Sequence, residues 1–298
     1  MSPKTNTYRD AVSFRRALET RINSFSKEKG TDLERLRKQV AFDRLLARLF
    51  FDAKQSQWLL KGGYAMELRF FELARTTKDV DLSLPVEFFP KVPNEKLLEK
   101  IREDLQDAAD RDLGDWFQYL IKAPIMELEA APYGGARYPV EARMGGTKFT
   151  NFNLDVGVGD VVLFTPEWRQ DHDWLKFAGI PSAKIPLIPR EQQFAEKIHT
   201  YTLPREGNPN SRTRDLIDLI ILIENGLKDK DKIHTALEET FRRRKTHEVP
   251  KILLPPPDSW TAPYQALAED CGVGKKNIKD AFKFLIEFWN QNSLGTRP

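Results

Sequence analysis

The sequence predicts an α+β fold in which leading helices, a small mixed sheet and a helical C-terminal lobe follow one another. Three observations carry this expectation. Leu36, Val40, Leu45 and Leu49 recur at close to helical spacing. Alternating β-like segments separated by Gly-rich turns fill the middle of the chain. Beyond Pro189 the pattern is helical again, apart from a rigid Leu254-Pro255-Pro256-Pro257 connector.

Taken in order, Thr31-Asp32-Leu33-Glu34 matches a capping box, which predicts Thr31 as the cap of a helix running to Phe51. Trp58, Leu59 and Leu60 form a short strand that ends at Lys61-Gly62-Gly63. Tyr64 to Phe71 reads as a helix, and Val80 to Leu84 as a second strand stopped by Pro85. The charged stretch from Glu95 to Leu120 reads as helical. Strands are expected over Ile125–Ala130, Pro139–Arg143 and Phe152–Val158, and Ile180 to Pro189 reads as a Pro-rich linker. Helices follow from Pro189, including Ser211 to Ile223, with a lobe boundary near residues 165 to 185.

The 298 residues are enough for two lobes. With 40% hydrophobic and 31% charged residues, the composition is that of an ordinary globular chain. Leu216 to Ile223, the longest apolar run, is interrupted by Asp218 and is far below the roughly 18 residues that span a bilayer. No membrane partner is expected, no export signal is visible, and the expected compartment is the cytoplasm. The single Cys271 excludes an internal disulfide framework and a cysteine metal cluster. His172, His199, His234 and His247 show no ligand-type spacing and read as surface or packing residues. The net charge of +3 says little, but Arg242, Arg243, Arg244 and Lys245 form a basic run. Such a run is either a solvated helix face or a phosphate contact.

Chemistry concentrates at Lys61-Gly62-Gly63 and at Asp79-Val80-Asp81. Side chains alternate along a strand, so Asp79 and Asp81 share one face while Val80 and Leu82 enter the core. Two adjacent carboxylates repel unless a cation lies between them. Mg²⁺ takes one or two protein carboxylates plus phosphate oxygens and water, which matches this pair. Gly62 and Gly63 let the backbone approach a nucleoside triphosphate closely, and helix-opening amides favour its charge. Lys61, Gly62 and Gly63 are therefore candidate nucleotide-binding residues. In Phe152 to Val158 the apolar residues alternate and Asp155 lies on the other face. If that strand pairs beside the Asp79–Asp81 strand, Asp155 becomes a third metal-binding and catalytic acid. Otherwise it is a solvent-facing edge residue.

On the helix after Pro189, Lys197 lies beside the apolar stripe of Phe194, Ile198 and Tyr201. Asp215 and Asp218 lie on a helix that is apolar almost all round, so both need partners. One reading makes them structural ion pairs, Asp218 with Arg214 or an arginine elsewhere. The other gives Lys197 a phosphate to bind, with Asp215 orienting the lysine or the acceptor.

Three blocks together resemble the AbiEii-type nucleotidyltransferase toxins, a family that includes the MenT-type toxins. They are Trp58–Gly63 through Arg75–Leu82, Phe194-Ala195-Glu196-Lys197, and Arg212-Thr213-Arg214-Asp215-Leu216-Ile217-Asp218-Leu219. The Asp43–Leu49 helix and Pro256-Pro257-Asp258-Ser259-Trp260 extend the likeness from about residue 10 to residue 290. The resemblance implies a polymerase-β-like nucleotidyltransferase core over residues 1–170 and a helical lobe over 171–298. It implies metal binding by Asp79 and Asp81, essential roles for Lys197 and Asp215, and a separate antitoxin partner. Part of the family carries Gly-Ser where this chain has Gly62-Gly63, which removes a hydroxyl from the phosphate side. The expected reaction is Mg²⁺-dependent transfer of nucleotides from a nucleoside triphosphate to RNA, above all the tRNA 3′ end. Transfer to a protein hydroxyl, and a binding module without activity, are the rival expectations.

Overall fold

The computed structural model describes residues 8–52, 56–85, 95–128, 131–205 and 212–295. The chain divides into two compact units. The first comprises Met1–Tyr64, Thr76–Gly159 and Trp168–Leu187; the second comprises Ala65–Arg75, Asp160–Glu167 and Ile188–Pro298. Ser211 and residues 129 and 130, included in expected elements, lie outside the described residues.

In the first unit, helix α1 (Ala11–Lys29) buries Phe14, Leu18 and Ile22, one residue per turn. Helix α2 (Leu33–Leu49) is capped by Asp32, whose carboxylate accepts from the Arg35 amide at 2.8 Å. The expected Thr31 cap is thus displaced by one residue. A carboxylate satisfies the orphan amide and also meets the positive helix end, and the Thr31 backbone is bonded to Ser26 in the turn before it. From Val40 onward α2 is buried on all sides, charged residues included. Arg44 donates to Asp115 at 2.7 Å and Arg48 at 2.5 and 2.9 Å, which satisfies all three charges inside the core.

The sheet comprises β1 (Leu59–Lys61), β2 (Asp79–Leu84), β3 (Phe117–Ile121), β4 (Met126–Glu127), β5 (Gly135–Met144), β6 (Thr147–Val158), β7 (Glu167–Gln170) and β8 (Lys184–Leu187). Its order among the described residues is β3-β5-β6-β2-β1-β8-β7, with β4 paired to β5. Strands β2 and β6 are parallel, as are β1 and β8, while β1–β2, β3–β5 and β5–β6 are antiparallel. Helix α3 (Gly62–Phe70) follows β1, and α4 (Glu95–Ala109) lies between β2 and β3. In the β5–β6 hairpin Arg143 faces Lys148 but Ala142 faces Thr150, so Phe149 is an extra residue in β6. Its side chain is buried and its ring meets Phe117 edge-on at 5.1 Å.

Two expectations fail here. The helix expected to reach Leu120 ends at Ala109, and Phe117, Tyr119 and Ile121 enter the core as a strand. Gly114, at φ +68°, lies in the turn between them. The stretch expected as a linker contains β8, where Ile185 and Leu187 are buried and Leu187 pairs with Leu60. Apolar burial there outweighs Pro186, the one proline inside the strand.

The second unit gathers α5 (Arg190–Thr202), α6 (Thr213–Glu224), α7 (Lys230–Arg244), α8 (Thr261–Asp270) and α9 (Ile278–Gln291). Phe194, Ile198, Leu216, Ile220, Leu285 and Trp289 lie in its core. Cys271 is buried there as a small apolar group. Among the described residues no helix is long and apolar enough to cross a membrane.

Candidate active site

The sheet register lines up four charged side chains across neighbouring strands. Lys61 pairs with Asp81, Asp81 with Asp155, and Asp155 with Arg137. In-register neighbours share a face, so the four form one row, with Asp79 a step away on the same side. On the opposite face Val80, Leu82, Leu154 and Val156 are fully buried. The two strands pair as that expectation required, which sets Asp155 on the face of Asp79 and Asp81.

Gly62 stands against the acids. Its φ is +65°, and a Cβ there would lie 2.0 Å from Asp81 Oδ2. Both the backbone conformation and the space require glycine. Gly62 and Gly63 open α3, so the first amides of that helix lie beside the Asp81 carboxylate. Lys61 crosses Gly157, where an added Cβ would lie 3.0 Å from its Nζ.

The acids are individually held. Asn153 donates to Asp79 Oδ1 at 3.0 Å. Arg137 donates twice to Asp155, Nε to Oδ1 and Nη2 to Oδ2, each at 2.7 Å, and passes 3.7 Å from Asp79. In this arrangement Asp155 is committed to Arg137. Among the described residues no three His, Cys, Asp or Glu side chains converge closely enough to hold a metal ion by themselves. Two carboxylates, Asp79 and Asp81, are the number that Mg²⁺ takes from protein when water and phosphate oxygens complete its shell. The donors are all hard oxygens, so the site fits such an ion.

In the second unit, Lys197 Nζ lies 2.9 Å from Asp215 Oδ1 and 2.7 Å from Asp218 Oδ2. Arg75 grips Asp218 with both ends of its fork, at 3.0 and 2.9 Å. Thr200 donates to Asp215 at 3.0 Å. Burial opposes charge on Lys197, yet the two carboxylates outweigh it and hold the ammonium above its ordinary value. Burial likewise opposes charge on Asp215, and Lys197 prevails, keeping that carboxyl below its ordinary value. Asp218 is thus paired both with Lys197 and with Arg75, an arginine from elsewhere in the chain. Asp215 and Asp218 together hold the lysine, whose third N–H has no protein partner among the described residues.

The profile of one protein family, nucleotidyl transferase AbiEii toxins of type IV TA systems, matches residues 44–287. The chain belongs to that family. Its fold agrees. The AbiEii chain is similar to MenT4, a nucleotidyltransferase toxin from Mycobacterium tuberculosis, at 15% identity and a TM-score of 0.51 over 74% of this chain and 68% of that one. An antigenic nucleotidyltransferase-like protein from Paracoccidioides brasiliensis is a weaker likeness, at 19% identity over 69% of this chain and 94% of that one, with a TM-score of 0.33. A comparison with curated protein sequences finds no match. Family membership makes the chain a nucleotidyltransferase toxin, with a nucleoside triphosphate as substrate and an antitoxin as partner.

Arg137, Asn153 and Arg75 escaped the sequence reading of this AbiEii chain. Asn153 could have been found, because it lies two residues before Asp155 and must share its face. Arg75 is separated from Asp218 by 143 positions, and nothing local joins them.

Proposed function

We propose that the chain transfers a nucleotidyl group from a nucleoside triphosphate to an RNA hydroxyl, the tRNA 3′ end above all, with Mg²⁺ held by Asp79 and Asp81. One observation carries this reading: the turn at Gly62 packs against Asp81 with no room for a side chain between them. A polyphosphate on the α3 amides thus meets the acids that hold its counter-ion. When bound, the ion neutralises phosphate charge and polarises the reacting phosphorus.

The chain's own residues supply position and charge. Lys61, Gly62 and Gly63 receive the phosphates, and Asn153 fixes the Asp79 carboxylate. Asp155, once released by Arg137, accepts the proton of the attacking hydroxyl. In the second unit, Lys197 offers its remaining N–H to a phosphate oxygen, and Asp215 holds it in place.

Asp81→Ala removes a metal-binding group without touching the apolar face. Incubated with total RNA, Mg²⁺ and each α-labelled triphosphate in turn, the wild-type chain should label RNA and this variant should not. Undiminished labelling by Asp81→Ala overturns the assignment.

A further inference from the structure

A groove of about 1090 Å³ opens in the second unit, lined by Phe241, Arg242, Lys245, Thr246, His247 and Lys251 among others. It holds part of the basic run that the proposed reaction leaves unused. At its wall the exposed Thr246 hydroxyl lies 2.7 Å from His199 Nε2 and 3.0 Å from His247 Nδ1.

The partners on the far side of each ring settle which nitrogen carries the proton. Arg244 can only donate, and its Nη1 meets His199 Nδ1 at 3.3 Å, so His199 donates from Nε2 to Thr246. Thr202 donates its hydroxyl to the Ile198 carbonyl at 2.8 Å, so it accepts from His247 Nε2 at 2.8 Å. His247 Nδ1 is then the acceptor of the Thr246 proton. Burial, then the nearby Arg244 and His247, push His199 down to about 3, and burial also lowers His247, so both rings are neutral at neutral pH. A solvent-exposed hydroxyl thus faces a neutral imidazole whose other nitrogen is anchored, while a second imidazole donates to the same oxygen. A nucleophile, its base and the group that orients the base stand in this relation in activated hydroxyls.

We propose that Thr246 is a base-primed acceptor, which takes a nucleotidyl group from a nucleoside triphosphate and so makes the chain a target of its own chemistry. Thr246 Oγ1 attacks the α-phosphorus and forms a phosphodiester. The α–β anhydride bond breaks, pyrophosphate leaves with the bonding pair, and the hydroxyl proton passes to His247 Nδ1 and on to solvent. The groove around Thr246 carries Arg242, Lys245 and Lys251 together with Glu238 and Glu248, and Arg242 is paired with Glu239 at 2.6 Å. The phosphates of the donor are therefore held at the proposed Gly62–Asp81 site, and Thr246 supplies only the acceptor hydroxyl. The donor chemistry is that of the proposed function, on which this inference rests.

The test incubates the full chain with Mg²⁺ and each α-labelled triphosphate, with and without RNA, and maps labelled peptides by mass. Thr246 should gain one nucleotide. Thr246→Ser should still be labelled, Thr246→Val should not, and His247→Gln should be labelled roughly 100-fold more slowly. All three variants should label RNA as the wild type does. Labelled RNA with no label on Thr246, or label on the Thr246→Val chain equal to wild type, overturns the inference and leaves the RNA reaction standing. If neither RNA nor the chain is labelled, the donor reaction itself fails and this inference falls with it.

Discussion

Replacing Arg137 by glutamine removes the guanidinium that occupies the third acid of the row. The lost contacts are two charge-assisted bonds of 2.7 Å to a carboxylate whose side chain is 12% exposed, made by an arginine that is 27% exposed. Hydrogen bonds to charged groups contribute about 1.5–3 kcal/mol each when one partner is removed, and partial solvent access reduces this, so the pair is worth about 2 kcal/mol. Without a divalent ion the variant should be less stable by that amount, because Asp79, Asp81 and Asp155 lose a shared cation. A divalent ion that draws on Asp155 no longer has to displace an arginine, so it should bind more tightly by a similar amount. That difference corresponds to roughly 30-fold in Kd. Titrating Mn²⁺ into wild type and Arg137→Gln without nucleotide, and counting free ion by its paramagnetic signal, measures the change. An Asp155→Asn, Arg137→Gln double variant should lose the gain. Equal or weaker Mn²⁺ binding by Arg137→Gln would refute the argument.

Other perturbations separate structure from chemistry. Gly62→Ala should abolish RNA labelling, because its Cβ would fall inside the Asp81 carboxylate at a left-handed backbone position; labelling at wild-type rate would mean that the turn can move. Asp218→Asn strands the buried Arg75 and should lower stability by about 3 kcal/mol in urea unfolding of the second unit. Lys197→Met strands the buried Asp215 and should lower stability as well as transfer activity, and full activity in the folded fraction would reduce the lysine to a structural partner. Burial, then the neighbouring Asp43, push the Asp171 carboxyl up to about 8. Its folded state therefore holds a proton that the unfolded chain releases near pH 4, so stability falls as pH rises from about 4 to 8 and levels off above. Asp171→Asn should flatten that part of a melting-temperature profile, and an unchanged slope would assign the proton elsewhere.

The order of elements was legible because each long segment keeps one hydrophobic period. So was the face shared by Asp79, Asp81 and Asp155, since alternation along a strand fixes it. Charge density concealed the Phe117–Ile121 strand behind the helix before it. The prolines around Lys184 to Leu187 hid a strand whose evidence is burial against Leu60. The Arg137–Asp155 pair was out of reach for a different reason. Counting back evenly from the Gly145-Gly146 turn sets Arg137 against Leu154, and only the extra residue at Phe149 moves it to Asp155.

That one-residue offset makes hairpin length a discrete variable. Deleting Phe149 would only remove the bulge and leave Arg137 paired with Asp155. Deleting one residue between Thr150 and Leu154, with the bulge in place, would bring Tyr138 rather than Arg137 alongside Asp155 and leave the acids without their restraint. Removing two residues would keep inward and outward positions in phase. Length variation tolerated between the bulge and Asp155 should therefore come in even steps, and an odd one there should unlatch the row of acids without altering a single residue that lines it.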